Sequence, residues 1–380
     1  MDLNGSFNGT APAVPKDCGI SPPNPVRGWF KAAAYLVILL ASSIGNVIVI
    51  KVFSTSQRLR TEVNFLIVNM AVADVMTSLF NMSFFVRYFV REALGMPQVW
   101  FGGHFGAFLC KFVDFIQGVS MFCCVLTLTA IAFNRFFAVV FPLKSIMNPK
   151  FTKVLILLIW ICACVFAAPT LYVMEVIVNP EDGNYYCIEN WAPTFDNETT
   201  PRYYTLLIFI VMYAIPLTFI TCLYACVIRK VWIRQVPGNV TRANQRLEGD
   251  MKKRVLKMLI TVVVTFALCW LPFHIYLLLV NFYYGIYSCQ ISHIVLFVGL
   301  FLGHANSAIN PWIYFMFNKD YRKNIKDMCK NSCSKQTNAI RVHSVQTRNS
   351  TIRTASSQHN GSNEMEMEPL NGHALLPVQV

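Results

Sequence analysis

Seven long apolar segments constrain the fold more than any other feature of this sequence. Each exceeds the roughly 20 residues that an α-helix needs to cross a bilayer. Hydrophobic residues make up 55% of the chain and charged residues only 13%, whereas about a quarter of a soluble protein is charged. The sequence therefore predicts an all-α membrane protein, a seven-transmembrane helix bundle. The predicted spans are approximately 30–53, 62–90, 107–140, 151–173, 203–231, 254–282 and 291–316.

Polar and amphipathic segments flank the predicted bundle. Tyr321, Ile325 and Met328 share one face of a segment whose other face carries lysines and arginines. This pattern indicates a short amphipathic helix, helix 8, on the membrane surface. The predicted organisation is an extracellular glycosylated tail over 1–29, the bundle over 30–316, the amphipathic helix over 317–331 and a disordered cytoplasmic tail over 332–380.

Two weak signals favour the same orientation in the membrane. N-glycosylation sequons occur at Asn4 and Asn8, ahead of the first span, and at Asn197 between the fourth and fifth. An extracellular N-terminus then leaves the basic loops inside and the acidic loop 174–202 outside, as the positive-inside rule requires. We expect a multi-pass plasma-membrane protein with a cytoplasmic C-terminus. Its net charge of +13 reflects basic loops beside membrane lipid, and no nucleic-acid partner is predicted.

Four of the 13 cysteines fall in outward segments, where disulfides form. They are Cys18, Cys110, Cys187 and Cys289, and four cysteines allow three pairings. We favour Cys110–Cys187, which ties the acidic loop to the third helix, and Cys18–Cys289 by elimination. No cysteine pattern indicates zinc, so no structural metal is predicted.

The segment after the seventh span carries candidate modification sites. Cys329 and Cys333 lie in basic surroundings, which favours palmitoylation, with free thiols as the alternative. Ser344, Thr351 and Ser356 each follow an arginine by three residues, a spacing compatible with basophilic kinases. An unmodified, solvated tail is the alternative for each site.

Asp74 is a carboxylate inside the second span, and charges at such positions are functional by default. Four polar residues of other spans are candidates to converge on it: Asn46, Asn306, Ser307 and Asn310. Two interpretations stay open. The group holds an allosteric sodium ion in a small wet cavity, or hydrogen bonds alone stabilise the carboxyl group. Beyond this sodium ion, no cofactor is predicted.

The third span links the two sides of the membrane. A helix from Cys110 to Arg135 is about 37 Å long, which exceeds the roughly 30 Å hydrocarbon thickness of a bilayer. Between them, Gln117 and Met121 lie on one face. Histidines of the sixth and seventh spans lie at a similar depth, although hydrogen-bonded packing is an alternative role for each. The candidate ligand contacts are Gln117, Met121, Glu189, His274, Leu277 and His304.

Prolines interrupt three of the spans: Pro216, Pro272 and Pro311. A proline inside a helix removes a backbone hydrogen bond and kinks the helix. Trp270 and Phe266 lie on the turns before Pro272, so a rotation of the indole would move the helix end below it. Packing alone also explains kinks in membrane helices.

Several short motifs occur in order along the spans. They are Gly45-Asn46-Val47, Ala71-Val72-Ala73-Asp74, Cys110 and Arg135, Trp160, Pro216 and Tyr224, Phe266 with Cys269-Trp270-Leu271-Pro272, and Asn306-Ser307 with Asn310-Pro311-Trp312-Ile313-Tyr314. Each is weak alone, but in this order and spacing they are specific. Over residues 28–330 the chain resembles a rhodopsin-like (class A) G-protein-coupled receptor.

The resemblance implies roles for residues at the matching positions, and a receptor rather than an enzyme. The implied sodium pocket is Asp74, Ser120, Asn306, Ser307 and Asn310. The implied activation switch is Phe266, Trp270, Pro272, Tyr224 and Tyr314, and the implied G-protein contact is Arg135 with Leu256. The implied partners are a heterotrimeric G protein, and arrestin and receptor kinases at the tail.

The expected ligand class follows from two residues that are typical of other receptors of this family and that this chain lacks. Amine receptors carry an aspartate where this chain has Gln117, and opsins carry a lysine where it has His304. Gln117, the acidic loop 174–202 and the Trp100-Phe101-Gly102 turn resemble neuropeptide receptors, in particular those for neuropeptide FF, neuropeptide Y and orexin. An acidic loop attracts a cationic ligand. We expect a basic, C-terminally amidated peptide.

The chain departs from the family pattern at two places. The family's Asp-Arg-Tyr is Asn134-Arg135-Phe136 here, and Lys252 stands where an acid often faces the arginine. Both departures remove carboxylate partners of Arg135, so we expect raised signalling without ligand. Cys124 replaces a serine of the sodium pocket and is a weaker ligand for sodium, although Ser120 lies one turn away.

The expected mechanism is an outward movement of the sixth helix that opens a groove for the G protein. The alternatives are a decoy receptor that binds peptide without signalling, and a receptor for a non-peptide small molecule. A transporter is disfavoured because the sequence shows no internal repeat. An intramembrane enzyme is disfavoured because no nucleophile–base pair occurs within the spans.

Overall fold

The computed structural model describes residues 25–141, 148–233, 242–282, 289–328 and 330, with side chains within 231–253 and 289–293 excepted. Seven helices within these ranges are long and apolar enough to cross a membrane, so the predicted seven-transmembrane bundle is confirmed. They are α1 (Pro25–Thr55), α2 (Glu62–Ala93), α3 (Gly103–Val140), α4 (Pro149–Val173), α5 (Thr200–Phe209, continued by Ile215–Ile233), α6 (Arg242–Phe282) and α7 (Cys289–Phe317).

Local sequence signals set several helix ends. The side chain of Asn148 accepts a hydrogen bond from the Phe151 amide, and Pro149 occupies the first helical position of α4, where its missing N–H costs nothing. Helix α6 begins at Arg242, well before the predicted start at 254. Its first turns are polar, so hydropathy marked only the part that lies in the membrane.

Two helices contain a widened, π-type turn. In α5 this turn is Ile210–Ala214, immediately before Pro216. The ring of Pro216 would clash with a carbonyl of the preceding turn, and a wider turn relieves that clash. In α2 the widened turn is Thr77–Met82, where no proline occurs. The hydroxyl of Ser78 donates to the Asp74 carbonyl oxygen at 2.8 Å and lies 2.7 Å from the Ser42 hydroxyl of α1.

A β-hairpin follows α4. Strands β1 (Met174–Val178) and β2 (Tyr185–Glu189) pair antiparallel, with Val176 opposite Cys187. The disulfide Cys110–Cys187 joins β2 to α3, as predicted. We call this end of the bundle the disulfide end, and the opposite end, at Arg135 of α3, the arginine end.

Buried polar contacts join the helices. The indole N–H of Trp160 in α4 donates to Asn69 Oδ1 of α2 at 2.8 Å, and Asn69 Nδ2 donates to Thr127 Oγ1 of α3 at 2.8 Å. Helix α1 meets α7 closely because Gly45 has no side chain. A Cβ there would lie 2.9 Å from the Pro311 ring. Hydrogen bonds between membrane helices, such as those that Asn69 makes with Trp160 and Thr127, contribute about 0.6 kcal/mol each.

Residues 319–328 form the helix α8 after α7. The side-chain oxygen of Asn318 accepts a hydrogen bond from the Asp320 amide at 2.9 Å, which caps the new helix. Tyr321 is fully buried, whereas Arg322, Lys323 and Lys326 are exposed, so the residues divide as the amphipathic pattern indicates.

Candidate ligand cavity and signalling core

The carboxylate of Asp74 is buried between three helices. Its oxygens accept hydrogen bonds from Asn310 Nδ2 of α7 at 3.1 Å and from Cys124 Sγ of α3 at 3.8 Å, and the Ser307 side chain is a third partner. Asn46 does not contact Asp74. Its Nδ2 donates instead to the backbone oxygens of Ser42 and Ser307, both at 3.0 Å.

One small cavity, with room for about one water molecule or ion, is lined by residues of three predicted sets. It joins the ligand candidates Gln117 and Met121 to the switch residue Trp270 and to Asp74. The full lining is Asp74, Thr77, Gln117, Ser120, Met121, Cys124, Phe266, Trp270, Asn306 and Ser307. A change at the ligand end of the cavity therefore acts on atoms that also contact the switch and the buried carboxylate.

Several buried oxygens around this cavity have no hydrogen-bond partner among the described residues. Those of lining residues are Gln117 Oε1, Ser120 Oγ and Asn306 Oδ1, and Asn310 Oδ1 beside Asp74 is a fourth. An unpaired buried polar atom costs about 1–3 kcal/mol, so such atoms normally bind water, an ion or a ligand. A carboxylate with neutral oxygens fits sodium, a hard cation, whereas the sulfur of Cys124 contributes little. Among the described residues no His/Cys/Asp/Glu cluster fits a structural metal.

Trp270 packs against α7. A Cβ at Gly303 of α7 would lie 3.1 Å from the indole, so the glycine allows this close approach. Near the Pro272 kink, the Tyr213 hydroxyl of α5 donates to the Ala267 carbonyl oxygen of α6 at 2.6 Å. Tyr213 thus links the widened turn of α5 to the kinked part of α6. The sequence predicted no role for Tyr213, because a tyrosine in an apolar span gives no signal.

The two candidate histidines are both buried. His304 Nδ1 lies 3.3 Å from the Tyr35 hydroxyl, and its ring centroid is 6.5 Å from that of Trp270. The His274 ring packs against Tyr213 with centroids 4.8 Å apart. Each Nε2 lacks a partner among the described residues. The packing and the ligand-contact interpretations therefore both remain for these residues.

A second buried acid lies on α3 near the disulfide end. Asp114 is one turn from Cys110 and one turn from Gln117, and it is largely buried. It interacts electrostatically with Glu189 of β2. Asp114 was not among the predicted site residues, although a carboxylate within an apolar span is a signal that sequence reasoning can use.

Three acidic side chains of the 174–202 loop are engaged locally. Asp182, at the hairpin tip, accepts hydrogen bonds from the Tyr186 hydroxyl at 2.7 Å and from the Asn184 amide at 2.9 Å, which lower the pKa of its carboxyl group. Glu175 accepts a hydrogen bond from Asn190 Nδ2 at 2.6 Å. Glu189 accepts one from the Trp191 indole at 2.6 Å.

Two further candidates lie near this loop. Leu277 of α6 is half-buried, and its carbonyl oxygen accepts a hydrogen bond from Asn281 Nδ2 at 2.9 Å. Asn197 donates through Nδ2 to Asn190 Oδ1 at 2.9 Å. Glycosylation at Asn197 stays a prediction.

At the arginine end, Arg135 is half-buried and interacts electrostatically with the Tyr224 hydroxyl and with the Glu62 carboxylate. Its Nε atom and the Tyr224 hydroxyl have no hydrogen-bond partner among the described residues. Glu62 opens α2 and was not foreseen as a partner. Tyr314 is fully buried and its hydroxyl lies 3.9 Å from Met70 Sδ, whereas Leu256 is half-buried.

Some predictions fall outside the described part of the chain. The sequons Asn4 and Asn8 and the cysteines Cys18, Cys329 and Cys333 lie there, and so does the tail. The Cys18–Cys289 pairing and the side chain of Lys252 belong to the same group.

Seven spanning helices with a polar centre on α2, α3 and α7 define a seven-transmembrane receptor. The family model for the 7 transmembrane receptor (rhodopsin family) matches residues 45–314. The chain belongs to this family, and the predicted rhodopsin-like resemblance is confirmed.

The chain is similar to receptors of known name. It is 33% identical to the Substance-P receptor of Mus musculus over 296 residues, which are 78% of this chain and 69% of the relative. The Substance-P receptor of Homo sapiens is 32% identical over the same shares. The Substance-K receptor of Mus musculus is 30% identical over 302 residues, 79% of this chain and 76% of the relative. These relatives are receptors, in agreement with a non-enzyme, and they give no support to a decoy.

Proposed function

We propose that this protein is a plasma-membrane receptor that binds an extracellular peptide and activates heterotrimeric G proteins. The similarity to Substance-P and Substance-K receptors supports a peptide ligand. The observation that carries the proposal is that Gln117, Trp270 and Asp74 all line the same cavity. In this proposal the disulfide end is extracellular and the arginine end cytoplasmic.

The proposed ligand is a basic peptide with an amidated C-terminus. Gln117 offers a neutral amide where an amine ligand would need a counter-ion, and its Oε1 has no partner among the described residues. A ligand amide would supply the missing hydrogen-bond donor. The exposed carboxylates of Glu181 and Asp182 add a negative field at the same end, which favours encounter with a cation.

The proposed activation is a shift between two conformations of the bundle. A ligand changes their populations only by its difference in affinity for the two. Contact at Gln117 reaches Trp270 through the shared cavity, and α6 pivots at Pro272. The N-terminal end of α6, which includes Arg254, then moves away from α3. This movement opens a groove beside Arg135 for a helix of the G protein.

A peptide screen tests this proposal. Cells that express the receptor are exposed to amidated peptides while calcium and cyclic AMP are recorded, with untransfected cells as the baseline. We expect receptor-dependent responses to basic peptides. The variant Gln117→Ala should lower the potency about tenfold, the loss expected for a buried hydrogen bond. The control Gln98→Ala removes an exposed amide outside the cavity and should leave potency unchanged. Equal potency of Gln117→Ala and wild type would contradict the role of the cavity.

A further inference from the structure

Asp114 is a carboxylate without a partner. No hydrogen bond and no ion pair joins it to any described residue, although it is largely buried in α3. A buried charge without a partner is costly, and native structures normally pair it. The carboxylate groups of Glu175 and Glu189 differ from it, because each accepts a hydrogen bond within the loop.

The fold holds a second negative charge close to Asp114. The disulfide Cys110–Cys187 ties β2 to α3 one turn from Asp114. Glu189 follows Cys187 by two residues, so the two lie on the same face of β2. The two carboxylates interact electrostatically and like charges repel. Two negative charges that the disulfide holds near each other make a site that a cation would stabilise.

Three basic side chains at this end of the bundle are engaged elsewhere. Lys31 pairs with Glu92 at 2.8 Å. Arg87 donates to the Val99 carbonyl oxygen at 3.0 Å. Lys111, although it lies on the same helix as Asp114, donates to the Leu171 carbonyl oxygen at 2.6 Å. None of these three side chains is therefore the counter-ion of Asp114.

A further unpaired atom continues the site into the cavity. Gln117 lies one turn below Asp114 on α3, lines the internal cavity, and has a buried Oε1 without a partner. A group that reaches from Asp114 to Gln117 would need several hydrogen-bond donors. A guanidinium presents five donors in a planar fork and is more weakly hydrated than an ammonium, so it loses less on burial.

We propose that Asp114, with Glu189 beside it, is the counter-ion for an arginine side chain of the peptide ligand. This inference rests on the proposed function and names the recognition element within it. Asp114 supplies the charge-assisted contact, Gln117 accepts a further N–H, and Glu189 adds attraction from the loop. A neutral group of the same shape would leave Asp114 unpaired.

The experiment uses two matched libraries of amidated heptapeptides. One carries a single arginine at each position in turn, and the other carries citrulline, its neutral isostere. Binding and calcium responses are measured on the full-length receptor at equal surface expression. On the wild type we expect the best arginine peptides to exceed their citrulline partners about 30-fold or more, as for other desolvated charge pairs.

The variant Asp114→Asn should remove most of this difference. Arginine peptides should lose about 30-fold in potency, while citrulline peptides keep theirs, which shows that the variant folds. Asp114→Glu keeps the charge and should keep the preference for arginine, so it serves if the asparagine variant does not reach the surface. Asp182→Asn, an exposed aspartate at the hairpin tip, is the matched control: it weakens only the diffuse field of the loop, so the roughly 30-fold preference for arginine over citrulline should remain.

The outcomes separate the two proposals. If arginine and citrulline peptides activate the wild type equally, or if Asp114→Asn keeps the preference for arginine, the counter-ion inference is overturned and the peptide receptor stands. Loss of the preference in Asp114→Glu at normal expression also counts against it. If neither library binds or activates the wild type, the proposed function fails and the inference fails with it.

Discussion

Arg135 keeps one carboxylate neighbour although its usual partners are replaced. Asn134 and Lys252 occupy the positions from which the family pattern supplies acids. Glu62, at the start of α2, interacts electrostatically with the guanidinium instead. The two groups are farther apart than a 4 Å ion pair, so their attraction lies at the lower end of the range for surface pairs, up to about 0.5 kcal/mol. The resting restraint on Arg135 is therefore present but weak, which agrees with the expectation of signalling without ligand.

The variant Glu62→Gln should raise this ligand-free signalling further. Removal of up to about 0.5 kcal/mol changes the balance between the two conformations by up to about twofold. The measurement is basal cyclic AMP and calcium at matched surface expression. Glu198→Gln removes an exposed loop carboxylate and is the control. A wild-type baseline equal to that of empty cells, with no rise in Glu62→Gln, would contradict this account of Arg135.

Asp74 should make agonist binding sensitive to sodium. A sodium ion beside the carboxylate would stabilise the conformation in which Asn310 and Ser307 close around it. Agonist displacement is compared in sodium chloride and in N-methylglucamine chloride at equal ionic strength. We expect sodium to weaken agonist binding in the wild type, Asp74→Asn to abolish the effect, and Cys124→Ser to enlarge it by adding an oxygen ligand. A sodium effect that persists in Asp74→Asn would exclude this site.

At the residue scale, the sequence predicts what depends on local chemistry. Asp74 was predicted because a charge in an apolar span has few explanations. Asp114 is also a charge in an apolar span and could have been predicted in the same way. The partnership of Glu62 with Arg135 was beyond such reasoning. It depends on how α2 sits beside α3, which no local pattern encodes.

At the scale of the element, the link between α5 and α6 is the feature with a direct test. Tyr213 lies in the widened turn before Pro216, and its hydroxyl bonds the backbone of α6 near Pro272. A proline-relieved turn and a kinked helix are thus joined by one hydrogen bond. Any pivot of α6 about Pro272 must strain or break that bond.

Tyr213→Phe should lower the stability of the described conformation by about 0.5–1.5 kcal/mol, the net worth of one hydrogen bond. The thermal midpoint of the purified, ligand-free receptor reports this loss. Tyr203→Phe is the matched control, because Tyr203 is 70% exposed and its hydroxyl has no described partner. Identical midpoints for Tyr213→Phe and the wild type would show that the bond does not restrain α6.

Hydropathy predicted the helices that cross the membrane, but it did not predict elements that do not depend on contact with lipid. The seven spans were predicted because each must be apolar over a bilayer thickness. The hairpin β1–β2 was predicted only as an acidic loop, since two five-residue strands are too short for a clear alternation. The polar start of α6 and the widened turn of α2 gave no hydropathy signal.

At the scale of the whole molecule, the helices around the cavity link the two ends. Its walls come from α2, α3, α6 and α7, so a ligand near Gln117 and a G protein near Arg135 act on the same helices. Coupling of this kind is reciprocal for binding. The G protein should therefore tighten peptide binding by the factor with which the peptide tightens G-protein binding, typically 5–150-fold.

Nucleotide exchange on purified components tests the central claim most directly. The receptor is placed in lipid vesicles with a heterotrimeric G protein, and the exchange rate is measured with and without a peptide that binds it. We expect the exchange rate with peptide to be higher than the rate with ligand-free receptor. We also expect the rate with ligand-free receptor to be higher than the rate in vesicles without receptor. Peptide binding with an exchange rate equal to that of receptor-free vesicles, across the Gα classes, would contradict the account and leave a decoy.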